Sequence, residues 1–138
     1  MLRRMVLLWG ALLVGVIVLS GAALAKDIRG TFGQDDLTGT NQMDRIYGLG
    51  AKDTITSLRG NDDCYGGSGN DVIRCVGGKD RIDGGFGEDH LFGGGGNDTI
   101  LAADGQRDLV YCGPGTDTVY VAVHDVADDN CEHVFFAR

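Results

Sequence analysis

A nine-residue repeat runs through the middle of the chain and constrains its fold more than any other feature. From Gly30 the chain divides into the blocks GTFGQDDLT, GTNQMDRIY, GLGAKDTIT, SLRGNDDCY, GGSGNDVIR, CVGGKDRID, GGFGEDHLF and GGGGNDTIL, and after one additional residue into ADGQRDLVY and CGPGTDTVY. The sixth place of every block is aspartate, and the eighth is aliphatic or cysteine. Self-similarity at a fixed period indicates a repeat protein in which each block is one structural unit.

Each block combines a glycine-rich loop with a minimal strand. Glycine at places one, two and four permits positive φ and close approach of the backbone, so peptide carbonyl groups can point toward one ion. Carbonyl and carboxylate oxygens in a flexible loop suit calcium, which takes about six to eight oxygen ligands. Places seven to nine are expected to form a strand whose eighth side chain faces inward. A metal-free linker would not keep an aliphatic residue two places after each aspartate.

The blocks GGSGND, GGFGED and GGGGND resemble the RTX family, also called hemolysin-type calcium-binding repeats, whose nonapeptide is G-G-x-G-x-D-x-U-x with U a large aliphatic residue. The resemblance covers about residues 30–120 and weakens in GTNQMD and GLGAKD, which depart from the glycine pattern. It implies an all-β fold, a right-handed parallel β-roll with two nonapeptides in each coil. It also implies that Ca²⁺ lies between like-sided loops of successive coils.

Coils of two nonapeptides would stack the aspartates in two ladders. The first ladder contains Asp35, Asp53, Asp71 and Asp89, and the second contains Asp44, Asp62, Asp80 and Asp98. The predicted metal site consists of Asp53, Asp62, Asp71, Asp80, Asp89 and Asp98 together with Gly66, Gly67, Gly84 and Gly85. Asp108 and Asp117 either continue the ladders or form an edge cap. Whether Asp35, Asp44, Asp108 and Asp117 bind metal stays open.

The first 25 residues have the order of a secretory signal peptide. A basic start is followed by an apolar run over residues 6–19 and by the A-x-A motif that ends at Ala25. Cleavage after Ala25 is therefore expected, and the protein is predicted to be secreted. An uncleaved membrane anchor is the alternative, because the apolar run with its Ala/Gly tail approaches the length of a short membrane span. The predicted domains are a signal peptide at 1–25, a β-roll at 26–120 and a C-terminal cap at 121–138.

Four cysteines follow the predicted signal peptide: Cys64, Cys75, Cys112 and Cys131. An even number in a small exported domain is typical of disulfide bonds. Three pairings are possible, and we favour Cys64–Cys75 and Cys112–Cys131 because they close the two short loops. Zinc is the alternative, although no pair has C-x-x-C spacing. By resemblance to the terminal cap of small exported family members, Cys112–Cys131 would pin the last segment over the open sheet edge.

The charge of the chain excludes some partners. Removal of residues 1–25 takes away two arginines and no acidic residue, which changes the net charge from −8 to −10. No basic surface then remains to neutralise phosphates, so a nucleic-acid partner is not expected. The sequence has neither H-E-x-x-H nor G-x-S-x-G, and a calcium ladder accounts for its many carboxylates. We therefore expect no enzymatic activity.

These observations predict an exported calcium-binding module whose folding is driven by calcium. The alternative is a calcium-dependent adhesion module for a cell surface or extracellular polysaccharide, and a lesser one is an accessory domain of a secreted hydrolase. A membrane partner is expected only if the signal peptide is not cleaved. The residues that could form an adhesive stripe are the aromatic ones at place nine, which are Tyr47, Tyr65, Phe92, Tyr111 and Tyr120.

Overall fold

The computed structural model describes residues 24–137, so the predicted signal peptide lies outside this range except for its last two residues. The described residues form thirteen β-strands and no helix that could cross a membrane. The strands are β1 (Asp27–Arg29), β2 (Asp36–Thr38), β3 (Arg45–Gly50), β4 (Thr54–Thr56), β5 (Asp63–Ser68), β6 (Val72–Arg74), β7 (Arg81–Phe86), β8 (His90–Phe92), β9 (Thr99–Ala102), β10 (Leu109–Tyr111), β11 (Thr118–Val121), β12 (Val126–Ala127) and β13 (His133–Phe136).

The strands stack into two parallel sheets. The odd-numbered strands form a seven-stranded sheet in the order β1-β3-β5-β7-β9-β11-β13, and the even-numbered strands form a six-stranded sheet in the order β12-β10-β8-β6-β4-β2. Neighbouring strands pair residues that are two nonapeptides apart, as Tyr47 pairs with Tyr65. Each coil therefore contributes one nonapeptide to each sheet, which confirms the predicted parallel β-solenoid.

The interior between the sheets is lined by the side chains of place eight. Because side chains alternate between the faces of a strand, places six and eight and the following place one all point inward. The aspartate of each loop therefore shares the interior with one aliphatic residue and, in most coils, with one glycine. The buried residues of place eight are Leu37, Ile46, Ile55, Cys64, Ile73, Ile82, Leu91, Ile100, Val110 and Val119.

The additional residue of the repeat lengthens a loop and leaves the strands unchanged. Ala102 ends β9, is buried and pairs with Val121, so it occupies the inward position of place one. The extra residue lies in the loop 103–107. The pairing then joins Phe92 to Tyr111, one residue further along the chain than in the earlier coils. The same side chains therefore continue to face inward beyond the insertion.

The described chain contains one of the two predicted disulfides. Cys112 and Cys131 are bonded, with their Cα atoms 5.3 Å apart, and they tie the segment before β13 to the loop after β10. Cys64 and Cys75 are free, so the predicted Cys64–Cys75 bond is wrong. Their sulfur atoms lie 3.5 Å apart in a hydrogen-bond contact, whereas a disulfide requires about 2.05 Å. The short separation of Cys64 and Cys75 in the sequence thus brings the thiols close without a disulfide bond.

Aromatic side chains of place nine stack along the outer faces of the sheets. The rings of Tyr47 and Tyr65 are 4.9 Å apart and nearly parallel, and the Arg29 guanidinium lies over the Tyr47 ring. Phe92 and Tyr111 form an equivalent stack on the other sheet, with ring centroids 4.9 Å apart. Parallel, in-register pairing places identical positions of successive coils side by side, and these rings therefore cover one another's faces.

Candidate metal centre

The buried aspartates form two hydrogen-bonded ladders. In the first ladder the Asp53 N–H donates to Asp71 Oδ1 at 2.8 Å, and the Asp71 N–H donates to Asp89 Oδ1 at 2.7 Å. The second ladder repeats this contact from Asp62 to Asp80 and from Asp80 to Asp98, at 2.8 Å in each case. One oxygen of each carboxylate is therefore used to join successive coils. The predicted ladders are confirmed.

Asp108 and Asp117 continue the ladders beyond the insertion. The Asp89 N–H donates to Asp108 Oδ1, and the Asp98 N–H donates to Asp117 Oδ1, both at 2.8 Å. Two further carboxylates that the repeat pattern did not identify then end the ladders. The Asp108 N–H donates to Asp125 Oδ1 at 3.0 Å, and the Asp117 N–H donates to Glu132 Oε2 at 2.9 Å.

A weak signal for these last carboxylates is present in the sequence. Ala127 lies two places after Asp125 and Val134 lies two places after Glu132, which is the spacing of each nonapeptide. Ala127 and Val134 pack against the core. The irregular loop lengths before Asp125 and Glu132 break the nine-residue period, and for that reason a search at a fixed period misses them.

The second oxygen of most ladder carboxylates has no hydrogen-bond partner in residues 24–137. These buried Oδ2 atoms belong to Asp53, Asp62, Asp71, Asp80, Asp89, Asp98, Asp108 and Asp117. Burying a charged carboxylate oxygen without a partner costs several kcal/mol of folding free energy, because the oxygen loses its hydration and gains no other interaction. Eight such atoms at one position of the repeat, all without a partner among the described residues, mark a place where a cation would offset the burial of charge.

The first aspartate of each ladder differs from the other eight. Thr31 donates to Asp35 Oδ2 from its N–H at 2.5 Å and from its hydroxyl at 3.0 Å. Thr40 makes the same two contacts with Asp44 Oδ2, at 2.5 and 2.9 Å. Threonine stands at place two only in these two blocks. Hydroxyl and amide donors therefore satisfy Asp35 and Asp44 without an additional ligand.

The glycine of place one leaves room for the carboxylate. A Cβ atom on Gly84 would lie 2.5 Å from Asp89 Oδ2, and one on Gly66 would lie 2.5 Å from Asp71 Oδ2. Neither glycine has a positive φ. Of the two expected reasons for glycine, positive φ is therefore wrong at place one, whereas close approach is confirmed, because the buried carboxylate and, at Gly66, the carbonyl oxygen of Gly84 leave no space for a side chain.

Apart from Gly33, the glycines at places two and four do have positive φ and approach a neighbouring carbonyl closely. Gly67 has φ of 108° and Gly85 has φ of 91°. A Cβ on Gly85 would collide with the carbonyl oxygen of Gly67, one coil earlier. Carbonyl oxygens are thus stacked between successive loops beside the carboxylates. These are the oxygen types that bind calcium.

Burial raises the pKa of the ladder carboxyl groups. Loss of water is the main cause, the N–H from the preceding coil lowers the pKa, and a neighbouring carboxylate raises it further. The pKa rises to about 6 for Asp71 and Asp98 and to about 7 for Asp80, Asp89 and Asp108. The metal-free interior therefore disfavours the charged state that a cation would stabilise.

A family model for the RTX calcium-binding nonapeptide repeat, in four copies, matches residues 38–73 and 76–109, which is more than half of the chain. The chain belongs to the RTX calcium-binding repeat family. Searches of curated proteins and of solved structures found no match. The family and the solenoid together identify a calcium-binding structural module, and calcium is the ion that the repeat implies.

The candidate metal ligands of this RTX roll include main-chain oxygens as well as carboxylates. Within residues 24–137, no three side chains of His, Cys, Asp or Glu form a group that could hold a metal ion. The ladder carboxylates lie one coil apart, and carbonyl oxygens of the glycine loops are stacked from coil to coil. The donor set is thus carbonyl and carboxylate oxygen, which fits calcium and does not fit a soft metal.

Asp104 modifies the RTX pattern in the lengthened loop. In other coils the amide of the place-four glycine donates to a main-chain carbonyl of the next coil, as Gly69 does. The Gly87 N–H donates instead to Asp104 Oδ2 at 2.9 Å. The Asp104 charge also contributes to the raised pKa of Asp89 and Asp108. The insertion therefore replaces a carbonyl with a carboxylate beside the first ladder.

Two glycines of the RTX loops provide a matched test of the close carbonyl approach. Gly85 and Gly105 have nearly equal φ values of 91° and 92°, but a Cβ on Gly105 would meet no atom within 4 Å. We expect Gly105→Ala to lower the free energy of unfolding by about 1 kcal/mol, the cost of positive φ. Gly85→Ala should cost at least about 2 kcal/mol more, because the coils must also move apart. Urea denaturation in calcium measures both, and equal losses would contradict the close approach.

Proposed function

We propose that this chain is an exported calcium-binding module in which Ca²⁺ ions complete the buried carboxylates and hold successive coils together. The unpartnered Oδ2 atoms carry the proposal, since each lies in the interior and those of Asp53, Asp71 and Asp98 approach the same space as a carbonyl oxygen of the next coil. A divalent cation offsets the charge of two successive carboxylates, whereas hydrogen-bond donors from the loops satisfy only one oxygen of each. The function is structural, and catalysis is not part of it.

The proposed ligands are the aspartates with an unpartnered oxygen and the carbonyl groups of the intervening loops. They include the six aspartates predicted from the sequence and also Asp108 and Asp117, whose Oδ2 atoms are equally buried. The backbones of Gly66, Gly67, Gly84 and Gly85 would line the sites. Asp35 and Asp44 are assigned to threonine-capped ends that hold no calcium.

Calcium titration of two conservative variants tests this assignment. Asp71→Asn removes the charge from a carboxylate with an unpartnered oxygen, and we expect it to abolish at least one calcium equivalent in isothermal titration calorimetry. Asp35→Asn lies on the same ladder but keeps an oxygen that accepts from Thr31, so the number of bound ions should not change. Equal calcium stoichiometry in Asp71→Asn and the unaltered protein would refute the proposed ligand set.

Export is supported by the disulfide and by the calcium requirement. Cys112–Cys131 requires an oxidising compartment, which for a small repeat domain is the extracellular space or the periplasm. Extracellular calcium, at about millimolar concentration, matches the weak sites typical of extracellular modules. Cleavage after Ala25 belongs to the same proposal. Mass spectrometry of the exported protein would detect both the disulfide and the new N-terminus.

A polysaccharide-binding role is not favoured by the outer faces of the sheets. Sugar rings bind to exposed faces of aromatic side chains, but the ring faces of Tyr47 and Tyr65 stack on each other, as do those of Phe92 and Tyr111. Tyr120 likewise stacks on Phe135, with ring centroids 5.5 Å apart. These aromatic residues stabilise neighbouring strands. We therefore do not propose the adhesion function.

A further inference from the structure

The second ladder begins at Lys26, which contributes its main-chain nitrogen but has no side-chain carboxylate. The Lys26 nitrogen donates to Asp44 Oδ1 at 2.9 Å, across the same 18 residues that separate the aspartates of the ladder. Lys26 thus occupies the position that an aspartate holds in each later coil. The Lys26 carbonyl also accepts from the Arg45 N–H at 2.9 Å, so both main-chain groups of this residue are bound to the next coil.

The peptide bond that precedes Lys26 is accessible. Leu24 is 83% exposed and Ala25 is exposed, while β1 begins only at Asp27. All thirteen strands follow this bond, so its cleavage leaves the entire roll intact. The bond also follows the A-x-A motif that predicts signal-peptide cleavage.

We propose that cleavage between Ala25 and Lys26 converts the amide at the head of the second ladder into an α-ammonium group that pairs with the Asp44 carboxylate. Water is consumed by a protease of the signal-peptidase class. The C–N bond breaks, the carboxylate remains on Ala25, and the released amine of Lys26 takes up a proton. An α-amino group with an ordinary pKa of about 8 is mostly charged at neutral pH. This inference rests on the proposed export of the protein.

The new charge would act where the ladder lacks a cation. Asp44 is only 1% exposed, Thr40 donates to its Oδ2 atom, and no calcium site is proposed at this end of the ladder. An ammonium donor makes a hydrogen bond to a carboxylate about twice as strong as an amide donor does. Cleavage would thus fasten the first strand to the roll, and the uncleaved precursor would keep a more weakly held first coil.

Amide hydrogen exchange in calcium tests the proposal on residues 26–138, prepared with either a free or an acetylated Lys26 α-amine. Acetylation restores an uncharged amide and leaves the Lys26 side chain unchanged. The reporters are the Arg45 and Gly30 amides, which bond to Lys26 O and Tyr47 O at 2.9 and 2.8 Å. We expect exchange about fivefold slower with the free amine, and we expect Asp44→Asn to remove that difference. Equal exchange rates, or a difference that persists in Asp44→Asn, would overturn the inference.

The cleavage site is tested separately on the full chain. After expression in an exporting host, intact mass should show that the secreted protein begins at Lys26, and a different first residue would also overturn the inference. Calcium titration of the same samples tests the proposed function independently of the cleavage site. If the protein folds without binding calcium, the proposed function fails, while the exchange comparison in EDTA still decides the role of the α-amine.

Discussion

Removal of calcium with EDTA at pH 7.5 is expected to unfold most of the roll, and addition of calcium to about 1 mM should restore it. With a dissociation constant of roughly 0.1 mM, each site contributes about 1.4 kcal/mol at that concentration. Four sites would add about 6 kcal/mol, which is comparable with the whole stability of a small domain. We therefore expect calcium to decide whether the chain is folded.

The structure gives the reason for so large an effect. Each nonapeptide places one aliphatic side chain, or in one case Cys64, in the interior, and the same interior contains nine buried aspartates, eight of which have an unpartnered oxygen. Far-UV circular dichroism and hydrodynamic radius would follow the transition. Magnesium at the same concentration is the control, because its tighter octahedral geometry suits these loops less well. An unchanged spectrum and radius in EDTA would contradict the proposed function.

The calcium-free protein is expected to be more stable at pH 4 than at pH 7.5, the reverse of the usual acid denaturation. Asp80, Asp89 and Asp108 have their pKa raised to about 7 in the fold, from an ordinary value of 3.8. The folded state therefore binds more protons than the unfolded state between about pH 4 and 7. The stabilisation is fully present below pH 4 and is lost as the pH rises through the folded pKa values.

Thermal unfolding from pH 4 to pH 8 measures this dependence. In EDTA a cooperative transition should be present at pH 4, and its midpoint should fall by at least about 10 °C as the pH rises, until no folded protein remains near pH 7.5, since several carboxyl groups contribute. Saturating calcium should reverse the trend, because the ion binds the deprotonated carboxylates and its affinity rises with pH. A midpoint that rises with pH in EDTA would show that the ladder carboxylates are charged and stable in the metal-free fold.

Much of the architecture could be predicted from local pattern. A strict period of nine with aspartate at place six and an aliphatic residue at place eight leaves one way to bury the aliphatic side chains, a coil whose strands stack in register. Ile73 and Leu91 are buried as expected, and the hydrogen bond between Asp71 and Asp89 connects successive coils. The period predicts these contacts because equivalent places of successive coils pair with one another in a parallel solenoid.

Contacts made by irregular segments could not be predicted in the same way. The Asp104 carboxylate replaces a carbonyl because the extra residue moves the loop, and Asp125 and Glu132 end the ladders after loops of other lengths. Whether the thiols of Cys64 and Cys75 bond depends on the distance between two interior positions, one in β5 and one directly after β6. A count of intervening residues does not fix such a distance.

The sequence by itself determined the repeat unit, the family, the stacking of the aspartates and the ion that the loops suit. Those properties follow from residue type and spacing, which are the same in each coil. The tertiary structure alone decided which ladder carboxylates have a buried oxygen without a partner among the described residues. Thr31 and Thr40 satisfy the first aspartates, whereas the later eight keep a buried oxygen without a partner in the described residues. That difference is a property of hydrogen-bond geometry in the interior, and equal aspartates at equal places in the repeat do not reveal it.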